Sequence, residues 1–543
     1  MRYLKGIGVS EGIAIGRIYV HKISGNSEAG EAGTPEEEQT RFDLACEQAR
    51  KELRKLYETA LERVGRDQAE IFLFHQAILS DPDFLDSVQE SILSGESAEV
   101  SVKRACNEFK KILTEADSEV AQSRGADLED IQNRLIQILG QEAGEAITLP
   151  EPCIVVAQDI LPSETMRLDR KKVLAFVTAE GSKTSHAAIL SRTMGIPAVT
   201  GTGDISCLEE AELAIVDGKT GIVLADPDEE SLEAAQKELE LQQKIQESRM
   251  RLKGLANETI DGKKIEVFAN IGSVADMDAV LEIGADGIGL FRSEFLFMQT
   301  DCLPDEKLQF EAYREVLSRM GGRKVVVRTF DLGADKKLSY LPMEPEKNPA
   351  LGLRAIRYSL LHPELLKTQL RALLRASVYG KLAIMFPMIT SLDEVRQARS
   401  LMEACKSELR AENISFDEKI EFGIMIETPA AALISDILAC EVDFFSVGTN
   451  DLTQYTLAVD RLNKSTESIY NPAHPAVLRL IEMIARNASE HGIWCGICGE
   501  SAADPALTER YLAIGVTELS MAPPKIMELR EKIRSINLSE RKS

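Results

Sequence analysis

The chain has 543 residues, too many for one domain and enough for ~3 to 4. Its 44% hydrophobic and 28% charged residues suit a soluble globular protein, and 63 Lys and Arg against 88 Asp and Glu give a formal charge of −25. That charge argues against nucleic acid or an anionic membrane surface as a general partner, and no apolar run approaches the ~20 residues of a membrane span. Nine scattered cysteines and an opening "MRYLKGIGVSEGIAIG" without a signal-peptide core point to a cytoplasmic protein with free thiols.

Residues 1–22 read as short strands punctuated by glycine. From Pro35 to Gly140 the pattern turns helical. Phe42, Ala45, Ala49, Leu53, Leu56, Ala60 and Val64 step by three or four residues along one face, the spacing of an amphipathic helix. The stretches that follow, down to "DLEDIQNRLIQILG", extend this into a helical bundle. Strand character returns at "PCIVVAQDI" (152–160), "VLAFVT" (173–178), "IPAVTG" (196–201), "LAIVDG" (213–218) and "GIVLAD" (221–226). The economical reading is one small α/β domain, 1–30 plus 145–226, interrupted by an all-helical insertion over 31–144. Residues 227–254 are highly charged with no internal glycine or proline, which predicts a linker helix with a solvated face.

The region 255–543 is regular. Strand-like runs alternate with helical stretches: "KIEVFANI", "ADGIGLFR", "KVVVRTFD", "LAIMFPM", "IEFGIMIET", "DFFSVGTND", "IWCGICGE" and "ELSMAP". This alternation predicts a closed parallel (β/α)8 barrel, whose chemistry belongs at the C-terminal ends of its strands. Those ends carry Asn270, Arg292, Arg328, Glu427, Asn450, Asp451, Cys498 and Glu500. Glu427 and Asp451 end adjacent strands, and two carboxylates with room for water and substrate suit Mg²⁺, a hard ion held by few protein ligands. Salt-bridge or capping duty is the plainer alternative. Arg292, Arg328 and Arg461, with Lys336, Arg354 and Arg357 nearby, form a basic set that fits a small polyanion, because guanidinium forks bind phosphate and carboxylate bidentately. The pair in "CGIC" (495–498) lacks a second pair at zinc spacing and a thioredoxin-like context. A thiol at Cys498 faces the mouth if residues alternate along the strand, and could serve as acid or base.

The stretch "GSKTSHAAIL" (181–190) places His186 where a loop becomes a helix. A lone histidine is more often a structural group. Here the helix start and the hydroxyls of Thr184 and Ser185 favour an anion beside the ring, and imidazole is a good nucleophile near neutral pH. His186 is a candidate phosphoryl acceptor.

The stretches "SKTSHAAILSRTMGIPAVTGTG", "GIGLFRSEFLFM", "VVVRTFDLGADK", "NPALGLRAIR", "IMIETPAA", "FFSVGTNDLTQYTLAVDR" and "CGICGE" carry a resemblance over essentially the whole chain. The sequence resembles Enzyme I of the sugar phosphotransferase system, the phosphoenolpyruvate–protein phosphotransferase family. The resemblance implies a multidomain α/β fold: a small α/β phosphohistidine domain with an inserted helical bundle, a linker helix and a C-terminal (β/α)8 TIM-type barrel. It implies that phosphoenolpyruvate phosphorylates His186 and that the phosphoryl group passes to the histidine-containing phosphocarrier protein. Arg292 and Arg328 would bind the phosphate, Asn450, Asp451 and Arg461 would complete the site, and Glu427 and Asp451 would hold Mg²⁺. Cys498 would protonate the pyruvate enolate. The insertion corresponds to the phosphocarrier docking surface, and the barrel to a domain that forms a homodimer. Two departures from the family pattern are Glu180 and Ala334, each at a glycine position. The rivals are a pyruvate phosphate dikinase or phosphoenolpyruvate synthase lacking its ATP module, and a non-catalytic regulatory paralogue.

Overall fold

β1 (Arg2–Lys5), β2 (Ile7–Ser10) and β3 (Ile13–His21) open the chain of the computed structural model. The structure describes the whole chain except residues 1, 22–31, 64–65, 116–124, 141–148, 161, 170–171, 183–184, 299, 301, 334–337, 339, 342, 345, 462, 464–465 and 541–543. Two units are distinguished along it, Met1–Lys244 and Ile245–Ser543.

In the first unit β4 (Cys153–Ala157), β5 (Val173–Thr178), β6 (Ala198–Thr200), β7 (Leu213–Asp217) and β8 (Ile222–Ala225) join the opening strands. The eight-stranded sheet runs β1-β8-β7-β3-β4-β5-β6-β2. Its centre, β3-β4-β5-β6, is parallel, and the flanks are antiparallel. β4 is buried along its full length because both its faces are covered. Cys153, Val155 and Ala157 share a core with Phe42, Leu53, Phe72 and Phe84, while Ile154 and Val156 share the opposite core with Val199, Ile205 and Val216.

Between β3 and β4 run the helices Pro35–Arg63, Arg66–Ile78, Pro82–Leu93, Ala98–Glu115 and Gly125–Leu139. Phe42, Ala45, Ala49, Leu53 and Ala60 are buried along one helix face, as their spacing predicts, with Leu56 packed beside them. Val64 lies outside the described residues. The charged stretch after β8 is the helix Glu229–Met250, which buries no residue. Lys237–Glu233 and Lys244–Glu240 pairs one turn apart line its exposed face, and only a few residues such as Leu232 and Ala235 are half-buried.

The second unit is a closed barrel of parallel strands. These are β9 (Glu266–Ile271), β10 (Gly287–Arg292), β11 (Val325–Arg328), β12 (Leu382–Phe386), β13 (Glu421–Ile426), β14 (Phe444–Val447), β15 (Trp494–Ile497) and β16 (Glu518–Met521). Each coincides with one of the runs read as strands. Residues alternate between two cores. Val267, Ala269, Phe445, Val447, Cys495 and Ile497 pack outward among the helices, whereas Leu290, Val326, Ala383, Met385, Met425, Phe444 and Cys498 fill the barrel. At the N-terminal floor Trp494 stacks on Phe444 with ring centroids 4.3 Å apart. Glu421 accepts from Trp494 Nε1 at 2.9 Å and pairs with Lys324 at 3.0 Å, which closes that end.

Candidate active site

His186 is the first residue of the helix His186–Met194. The chain leaves β5 through Gly181, whose φ of 112° a side chain rarely adopts. Ser185 then stands extended as the N-cap, and its Oγ accepts from Ala188 N at 3.4 Å. The helix stops at Gly195 in a left-handed conformation. His186 therefore begins a turn whose backbone N–H groups and dipole favour negative charge. Glu180, at the family's glycine position, accepts from Gln158 Nε2 at 2.9 Å, while its carbonyl accepts from Thr178 Oγ1 at 2.6 Å.

At the C-terminal end of the barrel, β10 and β11 finish in register with Arg292 opposite Arg328. Arg292 projects exposed at the end of its strand, with no carboxylate among the described residues within salt-bridge distance. Arg328 is held inside by Glu294 at 3.0 Å and Asp331 at 2.8 Å. Asp331 also takes Arg354, whose Nε and Nη2 reach the same oxygen at 3.2 and 2.8 Å. One nearly buried carboxylate thus fixes two guanidinium groups. Both arginines have raised pKa values despite burial, because Asp331 and neighbouring carboxylates outweigh it.

Glu427 follows β13 and is buried; its Oε1 accepts from Met388 N at 2.6 Å. Met388 adopts a φ of 58°, which turns its N–H toward that carboxylate. Burial first, then Asp451 and Asp331, raise the Glu427 pKa. The read strand end "DFFSVGTND" is shorter than its sequence: β14 stops at Val447, and Asn450 and Asp451 lie in the first turn of the helix Thr449–Leu457. Asp451 is buried and stands 4.0 Å from the Nη2 of Arg461. Asn450 Oδ1 accepts from Glu500 N at 3.0 Å, which ties the ends of β14 and β15 together.

Cys498 directly follows β15; its Sγ donates to Val447 O at 3.7 Å, and burial pushes its pKa up to about 12. Cys495, three residues earlier, belongs to the outer core. Only one thiol of "CGIC" therefore belongs to the barrel interior.

Several residues do other work. Asn270 Nδ2 donates to the carbonyls of Cys498 and Ser520, so it braces strands. Arg357 Nη1 donates to the carbonyls of Leu351 and Gly352 and shapes a loop. Lys336 lies outside the described residues. Asp331, Glu294 and Met388 escape the sequence reading. Asp331 sat within "TFDLGADK", but its partnership with Arg354 spans 23 residues and has no local signature.

Among the described residues no group of three or more His, Cys, Asp or Glu side chains is arranged to hold a metal. Glu427 and Asp451 supply two crowded carboxylates, a donor set that fits Mg²⁺ completed by substrate and water. No helix among the described residues is long and apolar enough to cross a membrane.

Comparison with known proteins gives the site its class. The phosphoenolpyruvate-binding domain of phosphoenolpyruvate-utilising enzymes matches residues 246–538. The N-terminal and mobile domains of the same enzymes match 5–124 and 149–221. These matches define a phosphoenolpyruvate-utilising enzyme. The phosphoenolpyruvate–protein phosphotransferase of Staphylococcus carnosus is 41% identical over 100% of this chain and 95% of its own length. That of Listeria innocua is 42% identical over 99% of this chain and 95% of its own. A solution NMR structure of an Enzyme I protein is 34% identical, covering 44% of this chain and 99% of that one, with a TM-score of 0.37. The chain belongs to the phosphoenolpyruvate–protein phosphotransferase family, the enzymes that the sequence motifs resemble.

Proposed function

We propose that His186 takes the phosphoryl group of phosphoenolpyruvate and passes it to the histidine-containing phosphocarrier protein. The observation that carries the chemistry is the assembly of basic, acidic and thiol groups at one end of the barrel. Arg292 and Arg328 receive the phosphate. Arg354, held by Asp331, adds a fork for the remaining negative charge, and Lys336 is assigned to the same substrate. Asn450 and Arg461 border the site beside Asp451. Such pre-fixed donors stabilise charge as it develops without reorganising during the reaction.

Glu427 and Asp451 would hold Mg²⁺. When bound, that ion supplies positive charge beside the phosphate and the enolate oxygen. The side chains perform the remaining tasks. The arginines hold the phosphoryl group for in-line attack by an imidazole nitrogen of His186, and the P–O bond to the enol oxygen breaks. The enolate left behind gains its proton at carbon three from the Cys498 thiol, which becomes pyruvate's methyl C–H. With a pKa near 12 that thiol is fully protonated at neutral pH, as an acid must be.

The domain assignment follows from this chemistry. Residues 1–30 with 145–226 carry the phosphohistidine, 31–144 receive the phosphocarrier, 227–254 link, and 255–543 bind phosphoenolpyruvate and form a homodimer. The cytoplasm is the compartment that suits free thiols. Labelled phosphoenolpyruvate with Mg²⁺ should give an acid-labile, base-stable label on His186. His186→Ala should lose it while the barrel stays folded by circular dichroism. Label persisting in that variant would refute the assignment.

A further inference from the structure

The barrel interior contains a second ionisable group that the chemistry above leaves unused. Glu518, the first residue of β16, is buried at 2% exposure. In register it follows the ladder Ser446–Gly496–Glu518–Glu266 across four neighbouring strands. Gly496 and Gly289 leave the space its carboxyl occupies. A Cβ on Gly496 would lie 1.8 Å from Oε2, and one on Gly289 would lie 2.7 Å from Oε1 and 2.6 Å from Ser520 Oγ. The cradle is thus shared by the carboxyl and the Ser520 hydroxyl.

Among the described residues no base stands within salt-bridge distance of it. Glu518 Oε1 and Asn270 Oδ1 are buried without a hydrogen-bond partner among the described residues, and Ser446 Oγ is buried beside the Cys498 thiol. Buried polar atoms without partners are rare in folded proteins and ask for an explanation. These three sit on β16, β14 and β9, the two neighbours of β15 and the strand beyond, around the strand that ends in Cys498. Ser446 adjoins the Cys498 thiol and tempers its pKa, and Glu518 acts on the same thiol through its charge. Toward the floor, Glu518 faces Glu266, its register partner, which is exposed, and Lys324. Burial, then Glu266, raises the Glu518 pKa well above the ordinary carboxyl value, the direction a proton store requires.

Cys498 needs such a source. It is only 4% exposed, so solvent does not reach it freely. We propose that Glu518 is a buried proton reservoir that returns a proton to Cys498 through the inside of the barrel. The proposal rests on the proton-donor role assigned to Cys498. When the thiol gives its proton to carbon three of the enolate, a thiolate remains. The Glu518 O–H bond then breaks, and its proton crosses by the Ser520 and Ser446 hydroxyls, with water between them, to form a new S–H bond. The carboxylate left behind recovers a proton from solvent at the floor, beside Glu266. One solvent proton enters for each pyruvate made, and no electrons change hands. Glu518 acts here through Cys498, as a positioning residue for the proton rather than a group that touches substrate.

The test reads exchange of pyruvate's methyl hydrogens with deuterated solvent, catalysed by the full chain with Mg²⁺ and followed by NMR. Each exchange needs Cys498 to lose and regain a proton. E518Q should slow this exchange by about tenfold or more, less than the ~10² to 10⁴ of losing the acid itself. First-turnover phosphorylation of His186 should stay at the wild-type rate, because the thiol starts protonated. S520A should slow exchange to a smaller degree. Wild-type exchange in E518Q overturns the reservoir, and so does equal loss of exchange and first-turnover labelling, which marks a merely structural role. If E518Q does not fold, infrared spectra of the wild type and S520A decide. A carboxylic-acid carbonyl band at neutral pH that shifts in S520A supports the proposal, and no such shift overturns it. Failure of the wild type to label His186 would instead strike at the phosphotransfer reading.

Discussion

Cys498→Ala and Cys495→Ala form a matched pair, because both thiols are buried in one short strand region yet lie in different cores. Cys498 stands at the barrel's inner side, 3.7 Å from Val447 O, and in the proposed mechanism it gives the enolate's carbon three its proton. Removing a positioned acid costs typically ~10² to 10⁴ in rate, or about 3 to 5 kcal/mol of barrier. Cys495 makes no such contact, so its loss should cost only the cavity of one sulfur, about 1 kcal/mol of stability. The assay is a rapid quench with labelled phosphoenolpyruvate that counts phosphohistidine and pyruvate separately. Cys498→Ala should bind phosphoenolpyruvate as the wild type does, yet release pyruvate far more slowly than it forms phosphohistidine. Cys495→Ala should keep both rates and lose a little melting temperature. The pH profile adds a check: a thiol titrating near 12 stays an acid throughout the neutral range, so no loss of rate on its account should appear there. Full pyruvate release by Cys498→Ala, or equal damage in the two variants, would refute the argument.

Asp331→Asn removes the charge that holds Arg328 and Arg354 together. Hydrogen bonds to charged groups contribute about 1.5 to 3 kcal/mol each, so KM for phosphoenolpyruvate should rise about tenfold or more in steady-state kinetics while the protein melts earlier. An unchanged KM would show that substrate itself orders the two arginines. Glu427 gives a pH prediction. Burial, then Asp451, raise its pKa in the folded state, so the folded protein keeps a proton that the unfolded chain gives up. Its stability contribution is greatest at low pH and falls as pH rises from the ordinary carboxyl value through the raised one. Mg²⁺ should expel that proton. Proton release on adding Mg²⁺ in weak buffer, seen by a pH indicator, should vanish in Glu427→Gln, and release that survives would place the ion elsewhere.

The barrel was legible because each strand is buried on both faces and reads as a continuous apolar run bounded by helical stretches. The helical bundle was legible for the converse reason: Phe42, Ala45, Ala49 and Leu53 keep a helical step and are buried together. Strand ends were less so. "DFFSVGTND" reads as one strand through Asp451, yet the strand ends at Val447, a Cβ on Gly448 would lie 2.8 Å from Glu427 Oε2, and the next residue starts a helix. The candidate site residues Arg292, Arg328, Glu427 and Cys498 were visible as polar endings to greasy runs, and the structure places them at or just past the ends of their strands. Asp331 was not, because its task is defined by Arg354 from another segment. Glu518 was hidden too. A glutamate opening a strand reads as a solvated end, and only the missing side chains of Gly496 and Gly289 turn it into the barrel.

The charges at the mouth answer how a chain of net charge −25 handles an anion. Its overall field repels phosphoenolpyruvate, so attraction must be local. The carboxylates at the mouth, Glu294, Asp331, Glu427 and Asp451, hold Arg328, Arg354 and Arg461 in ion pairs or crowd one another. The counterions divide into two sets with different uses. Glu294 and Asp331 touch the arginines directly and keep them in place before substrate arrives. Glu427 touches Met388 N–H, and with Asp451 it forms a pair whose mutual repulsion a divalent cation relieves. A phosphoenolpyruvate trianion arriving alone would unbalance the first set and be repelled by the second. On the proposed reading, substrate arriving with Mg²⁺ would meet arginines already held and carboxylates that gain from the cation, so each would raise the other's affinity. That coupling follows from the arrangement of the carboxylates, and it is reciprocal by thermodynamic necessity.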